Sequence, residues 1–319
     1  MVSPVGMGTW AIGGPFRSGD QPLGWGVDWD REEAKRALRA AFDSGITVFD
    51  TADAYGAGEA ERLVGEALGS VREEIAIISK WGNVVDEPGR QLLGTDASPG
   101  YVRTALEASL RRLGTEHVDL YLLHLSGLPV AEAEGLLSPL QRLLEDGLIG
   151  AYGWSTDEPE LAAAWLGQSG FGAVEFEINA LRDAPALVAL SEAHDLSALA
   201  RGPLATGLLG GAYRSGSLVE DEYDFRKRAP EWLNYFVDGR PVGAYAQRLD
   251  AIAEILQSGG RTLAQGALCW VLARSPQLIP IPGAKTVAQA VENADAMRFG
   301  PLDAAQMAEI ERLTAAVPA

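Results

Sequence analysis

The sequence predicts a single (β/α)8 (TIM) barrel spanning residues 1–319, with long loops at the C-terminal face and an extra C-terminal helix. Three observations carry that expectation. Short apolar runs alternate with longer segments of helical period eight times along the chain. Several runs, such as Ile75-Ala76-Ile77-Ile78 and Leu120-Tyr121-Leu122-Leu123, are continuously apolar, as parallel strands buried on both faces are. Glycines (Gly45, Gly114, Gly147, Gly170) close the helical patterns, where a left-handed residue without a Cβ costs least.

The elements follow in order. A run at 5–10 precedes a Gly-rich loop and a helix at 31–44, whose apolar face is Ala34, Ala37, Leu38, Ala41 and Phe42. Strand 46–50 leads to helix 58–68, strand 75–80 to helix 98–113, strand 118–124 to helix 131–145 and strand 149–154 to helix 159–166. Strand 173–178 pairs with helix 186–194, and strand 197–200 leads across a long insertion to helices at 244–257 and 262–274. Strand 278–281 precedes a helix at 287–297, and an amphipathic segment at 303–315 remains as the added helix. Eight units in one chain of this length favour a barrel over a doubly wound sheet, with a two-domain α/β protein as the alternative. The segments at 14–29, 84–97 and 215–243 read as long loops that shape a pocket, and long loops carry function or move.

Composition narrows the function. With 26 Lys and Arg against 44 Asp and Glu, the formal charge is −18, which disfavours nucleic acid and anionic membranes as partners. An apolar fraction of 47% with 22% charged residues is ordinary globular composition and excludes disorder. No apolar stretch approaches the roughly 18 residues of a membrane span, and no leader pattern opens the chain, so a soluble cytoplasmic protein is expected. The single cysteine, Cys269, allows neither an internal disulfide nor a multi-cysteine metal site. Small-molecule chemistry is the expectation.

In such a barrel the chemistry sits where strands end at the C-terminal face. Asp50 ends the second strand, Lys80 the third and His124 the fourth, and Tyr55 lies five residues beyond Asp50 in the following loop. A cationic Lys80 beside the Tyr55 phenol favours phenolate and lowers its pKa from about 10. Asp50 neutralises the lysine, and His124 hydrogen-bonds a substrate oxygen. Together they describe general acid and base work at a carbonyl or alcohol.

These residues resemble the aldo-keto reductase superfamily. The matching stretches are Gly45-Ile46-Thr47-Val48-Phe49-Asp50-Thr51-Ala52-Asp53-Ala54-Tyr55-Gly56, Ile78-Ser79-Lys80-Trp81-Gly82, the run from Leu113 through Gly114-Thr115 to His124, and Ile279-Pro280-Ile281-Pro282-Gly283. The resemblance covers essentially the whole chain. It implies a catalytic tetrad of Asp50, Tyr55, Lys80 and His124, with Tyr55 as general acid, and hydride transfer from the C4 position of a bound nicotinamide to an aldehyde or ketone. It also implies cofactor contacts from Trp10, Ser155, Glu175, the run Arg201-Gly202-Pro203-Leu204, and Gly283, Lys285, Gln289, Glu292 and Asn293. A Gly-containing turn opening a helix offers free N–H groups to a phosphate, and Lys285 adds a charge that favours NADP over NAD.

The chain departs from the commoner family pattern at several of these places. Thr156 stands where asparagine is usual, Glu175 where a glutamine holds the nicotinamide carboxamide, Arg201 where many members stack an aromatic ring, and Gln289 where an arginine grips the 2′-phosphate. An ionised carboxylate accepts from an amide NH2 but cannot donate to its C=O. These departures leave a second possibility, a cofactor-binding regulatory or interaction subunit with little turnover. Trp25 and Trp81 are expected to wall the substrate pocket. Asp53, His117 and His194 are expected to take no part in the chemistry.

Overall fold

A computed structural model of the chain describes residues 2–24, 29–214, 216–221, 224–228 and 233–317. Eight strands run parallel in one sheet: β1 (Met7–Gly8), β2 (Val48–Asp50), β3 (Ala76–Trp81), β4 (Val118–Leu123), β5 (Ile149–Ser155), β6 (Phe171–Glu177), β7 (Ser197–Arg201) and β8 (Leu278–Pro280). Each pairs with the next in chain order, and backbone bonds from Gly6 N to Pro280 O (2.9 Å) and Gly8 N to Pro282 O (3.0 Å) join the last to the first. The (β/α)8 barrel is therefore nearly closed, with helices outside it.

The period of two along a strand decides what faces inward. Val48, Ile78, Leu122, Ala173, Leu199 and Ile281, one from each of six strands or strand ends, pack into a single core inside the barrel. The outward residues of the same strands pack against the helices in two larger clusters. Two residues beyond each inner core position, the chain reaches the C-terminal mouth at Asp50, Lys80, His124, Glu175, Arg201 and Gly283. Gly153 and Ser155 hold the corresponding places on β5, where Gly153 is pressed so closely against Ala173 O that an added Cβ would sit 2.2 Å from it.

The helices begin and end on sequence cues. Arg31–Asp43 is capped by Asp30, whose carboxylate accepts from Glu32 N and Glu33 N, and Pro99–Leu113 ends on Gly114 at φ +65°. The segment expected as one helix at 131–145 divides into Val130–Glu134 and Leu137–Glu145. Pro139 accounts for the break. It falls in the first turn of the second helix, where its missing N–H has no partner to lose. The extra C-terminal helix, Ala304–Ala315, is opened by a reciprocal Asp303–Gln306 capping box and packs on Gly243–Leu256.

All three of the expected loops are partly folded. Segments Phe16–Ser18, Gln21–Leu23, Asn83–Asp86 and Gln91–Thr95 form a four-stranded sheet beside the mouth. Within the late insertion, Phe236–Val237 pairs with Arg240–Pro241. No helix among the described residues is long and apolar enough to cross a membrane.

Candidate active site

Lys80 is the centre of the site. It reaches the mouth from β3, is completely buried, and its Nζ donates to Asp50 Oδ2 at 2.5 Å, to Thr51 O at 3.1 Å and to Tyr55 Oη at 3.2 Å. A second carboxyl joins it: Glu175 Oε2 lies 3.3 Å from the same nitrogen, and Glu175 Oε1 accepts from Ser155 Oγ at 3.0 Å. Tyr55 is carried by a tight loop. Gly56 has φ +64° and a Cβ there would stand 2.0 Å from Gly13 O, so this position needs glycine both for its conformation and for the close approach of the first loop. The His124 ring meets the Tyr55 ring edge-on, with centroids 5.8 Å apart at 83°.

The four residues expected to act together therefore converge. Asp50, Tyr55 and His124 line one cavity of about 860 Å³, with Lys80 behind them. Its size falls in the range of roughly 300–1,000 Å³ usual for small-molecule sites. All twelve residues expected on the cofactor side also line it: Trp10, Ser155, Glu175, Arg201, Gly202, Pro203, Leu204, Gly283, Lys285, Gln289, Glu292 and Asn293.

The electrostatics differ from the simple expectation. Burial pushes the Tyr55 phenol above its ordinary value, and Asp50 and Glu175 add to that effect, so the pull of Lys80 toward phenolate is outweighed. This corrects the expected lowering. Burial alone would favour a neutral Lys80, but Asp50, Glu175 and Tyr55 hold its ammonium above the usual lysine range. Burial and the neighbouring Glu175 drive the Asp50 carboxyl well up against the opposing effect of Lys80. Desolvation, with the charges of Lys80 and Arg201, depresses His124 to about 3. Its Nδ1 is buried without a hydrogen-bond partner. At neutral pH the site thus holds a phenol, an ammonium and a neutral imidazole.

The aromatic pocket residues fare differently. Trp81 was expected to wall the substrate pocket, but it is fully buried and packs at 6.1 Å against Tyr121 on the outside of the barrel. The reason is strand alternation: the residue after the inward Lys80 faces the helices. Trp25 lies outside the described residues. Instead Phe16, Leu23 and Leu92 of the side sheet line the cavity, together with Asn83.

Arg201 is held at the rim by Asp157, with Glu177 at 3.9 Å. Glu177 in turn accepts from Tyr235 Oη at 2.6 Å and Arg182 Nη1 at 2.6 Å. Arg226, buried on Asp224 and 4.7 Å above the Tyr213 ring, brings another cation to the cavity wall. None of Asp157, Glu177, Arg182 or Arg226 was singled out by sequence. Thr286 caps the helix Val287–Asp295 through Gln289 N, and Gln289 Oε1 accepts from Lys285 N at 2.8 Å. That helix start, with Lys285 beside it, is chemically suited to an anion. Asp53 is buried with neither carboxylate oxygen hydrogen-bonded, and burial followed by the nearby Glu61 raises it well above the usual range. It does not line the cavity.

A (β/α)8 barrel with a buried tyrosine–lysine–aspartate cluster and a histidine at its C-terminal mouth defines a class of oxidoreductase. Comparison with known proteins supports this. The model of the aldo/keto reductase family matches residues 4–315. A probable aldo-keto reductase of Glycine max is 30% identical over 303 residues, 93% of this chain and 81% of that protein. An NADP(+) aldo-keto reductase of Schizosaccharomyces pombe is 30% identical over 86% of this chain and 80% of its own length. Among solved structures, the glycerol dehydrogenase of Gluconobacter oxydans superposes with a TM-score of 0.80 at 27% identity, covering 99% of this chain and 92% of that one. An aldo-keto reductase of Klebsiella pneumoniae, solved with NADP and acetate, does so at 0.69 and 25%, covering 98% and 92%. The chain belongs to the aldo-keto reductase family and is an oxidoreductase.

Proposed function

We propose that this protein is an NADP(H)-dependent reductase of aldehydes or ketones, with Tyr55 as the general acid. One observation carries the reading. Tyr55 Oη lies 3.2 Å from a fully buried Lys80 that is itself anchored on Asp50, and the phenol faces the same cavity as His124. A bound nicotinamide would supply hydride at C4. The chain's part is to hold the carbonyl oxygen between His124 and Tyr55 and to give it a proton.

The electrostatics suit that task. A phenol held above its ordinary value is fully protonated at neutral pH, so the proton is in place before reaction. The oxygen that receives hydride at its carbon becomes a strong base and draws the proton. Lys80, still cationic, then stabilises the phenolate left behind. His124 stays neutral, so it can donate a hydrogen bond without competing as an acid. Asp50 keeps Lys80 charged and in place.

Ser155 and Glu175 are suited to the nicotinamide end of a cofactor, where a hydroxyl and a carboxylate can meet a carboxamide. Trp10, Gly202, Pro203 and Leu204 provide cavity wall, with Arg201 at the rim. Gly283, Lys285 and the helix start at Thr286 suit a phosphate, and Gln289, Glu292 and Asn293 suit the adenosine end. The charge of Lys285 beside that helix start, near where a 2′-phosphate would sit, is the reason to favour NADPH over NADH. The buried, lone Cys269 is consistent with a cytoplasmic setting. The partner is a small carbonyl compound.

The test is direct. Titrate NADPH and NADH by fluorescence, then follow cofactor oxidation with a panel of aldehydes and ketones. The expected result is tighter NADPH binding with turnover of at least one carbonyl. Tight binding with no turnover of any would favour a regulatory subunit.

A further inference from the structure

Glu175 gives this site a charge it does not need for holding Lys80. One ammonium is flanked by two buried carboxyls, Asp50 at 2.5 Å and Glu175 at 3.3 Å, and both acids are almost completely inaccessible. The Glu175 oxygen that faces Lys80 makes no hydrogen bond. Every wall of the barrel mouth contributes to the balance. The loop after β2 presents the Tyr55 phenol, the end of β4 the His124 imidazole, and β5 the Ser155 hydroxyl. From β7 comes Arg201, but its charge is taken up by Asp157 with Glu177 nearby. At the mouth layer, β1 and the segment after β8 present Gly8 and Gly283, which carry none, and Lys285 and Glu292 line the cavity further along the chain. With both carboxyls ionised, the buried centre would carry one negative charge in excess. A charge of that kind is costly in a dry site and is relieved either by a proton or by a cationic ligand.

A nicotinamide ring is cationic when oxidised and neutral when reduced. We propose that Glu175 makes cofactor binding proton-linked: the Asp50–Glu175 pair holds one proton in the free protein, releases it on binding NADP+, and keeps it on binding NADPH. The step balances as protonated protein plus NADP+ giving the complex plus one H+, and nothing is oxidised or reduced. The raised Asp50 carboxyl agrees with a proton held there. Glu175 is then a specificity-determining residue that separates the two redox forms of the cofactor. Its neutral counterpart, glutamine, would leave one carboxyl for one ammonium and no surplus. The inference rests on the reading that this cavity takes a nicotinamide dinucleotide.

The experiment is calorimetric titration of the full chain with NADP+ and with NADPH near pH 7, in two buffers of different ionisation enthalpy. The phosphates are common to both cofactors, so the difference between them reports the ring. The expected result is release of up to one more proton for NADP+ than for NADPH. The affinity ratio should then move toward NADP+ by as much as about tenfold per pH unit. In Glu175→Gln the difference should vanish and the ratio become independent of pH. Equal proton release for the two forms in the native chain, or a difference that survives in the variant, would overturn the inference while leaving the reductase reading intact. Failure of either form to bind would overturn both.

Discussion

Two groups of buried charge lie on opposite faces of one strand. On β3, Ser79 points out toward the helices and Lys80 points into the barrel. Ser79 Oγ donates to Glu61 at 2.6 Å, and Glu61, fully buried, accepts from Arg112 Nε at 2.6 Å, while Arg112 Nη1 reaches Glu87 at 2.8 Å and Arg62 also pairs with Glu87, two guanidiniums for two carboxylates. In this outer group every charge has a partner and none of Ser79, Glu61 or Arg112 lines the mouth cavity. The inner group has two carboxyls for one ammonium and opens onto a cavity. The difference separates a cluster that fixes helices to the barrel from one whose incomplete balance leaves work for a ligand or a proton.

Breaking each group should give opposite signatures. Lys80→Met removes the charge beneath the Tyr55 phenol, and turnover should fall by roughly 100- to 10,000-fold in steady-state assays. A fall of less than about tenfold would place the lysine outside the chemistry. Arg112→Met strands Glu61, fully buried, and should lower unfolding free energy by about 3–5 kcal/mol in urea while changing kcat little below the melting range. A stable Arg112→Met chain with lost activity would reverse the two roles.

Protonation offers finer tests. His124 is depressed to about 3 in the folded chain, whereas in the unfolded chain it titrates near 6.5. The unfolded state therefore binds the extra proton first, and stability falls as pH drops below about 6.5. Relative to His124→Gln, the native chain should lose about 2 kcal/mol between pH 7 and pH 5. Parallel urea curves across that interval would contradict a neutral buried imidazole. Asp53 has the opposite sign. Its raised carboxyl contributes stability that is present below the unfolded value near 4 and lost as pH rises toward the folded one. Asp53→Asn should match the native chain at pH 4 and be slightly more stable at pH 7, within about 2 kcal/mol. A less stable variant at pH 7 would mean an ionised, partnered Asp53.

Much of the inner group was legible from sequence because Asp50, Lys80 and His124 each end an apolar run, and the family motifs identified Tyr55. Ser155, Glu175 and Arg201 came from resemblance, although their place in the same mouth layer follows from the two-residue offset to the inner core. The same offset would have removed Trp81 from the pocket, since it follows an inward residue directly. Other features had no local signal. Tyr235 reaches Glu177 across 58 positions and Arg201 reaches Asp157 across 44, contacts that barrel curvature creates. The side sheet is built from strands of three to five residues interrupted by Gly94 and Pro22, too short for an alternation to stand out. The upward shift of Tyr55 comes first from burial, with Asp50 and Glu175 adding to it, and only the fold brings these together.

The central claim is that the Tyr55 phenol delivers the proton that completes carbonyl reduction. Tyr55→Phe removes one oxygen from the cavity and is measured for NADPH affinity by fluorescence and for carbonyl-dependent NADPH oxidation. The prediction is near-native affinity with turnover reduced at least about 100-fold; a variant that binds NADPH and reduces the carbonyl at the native rate would contradict it.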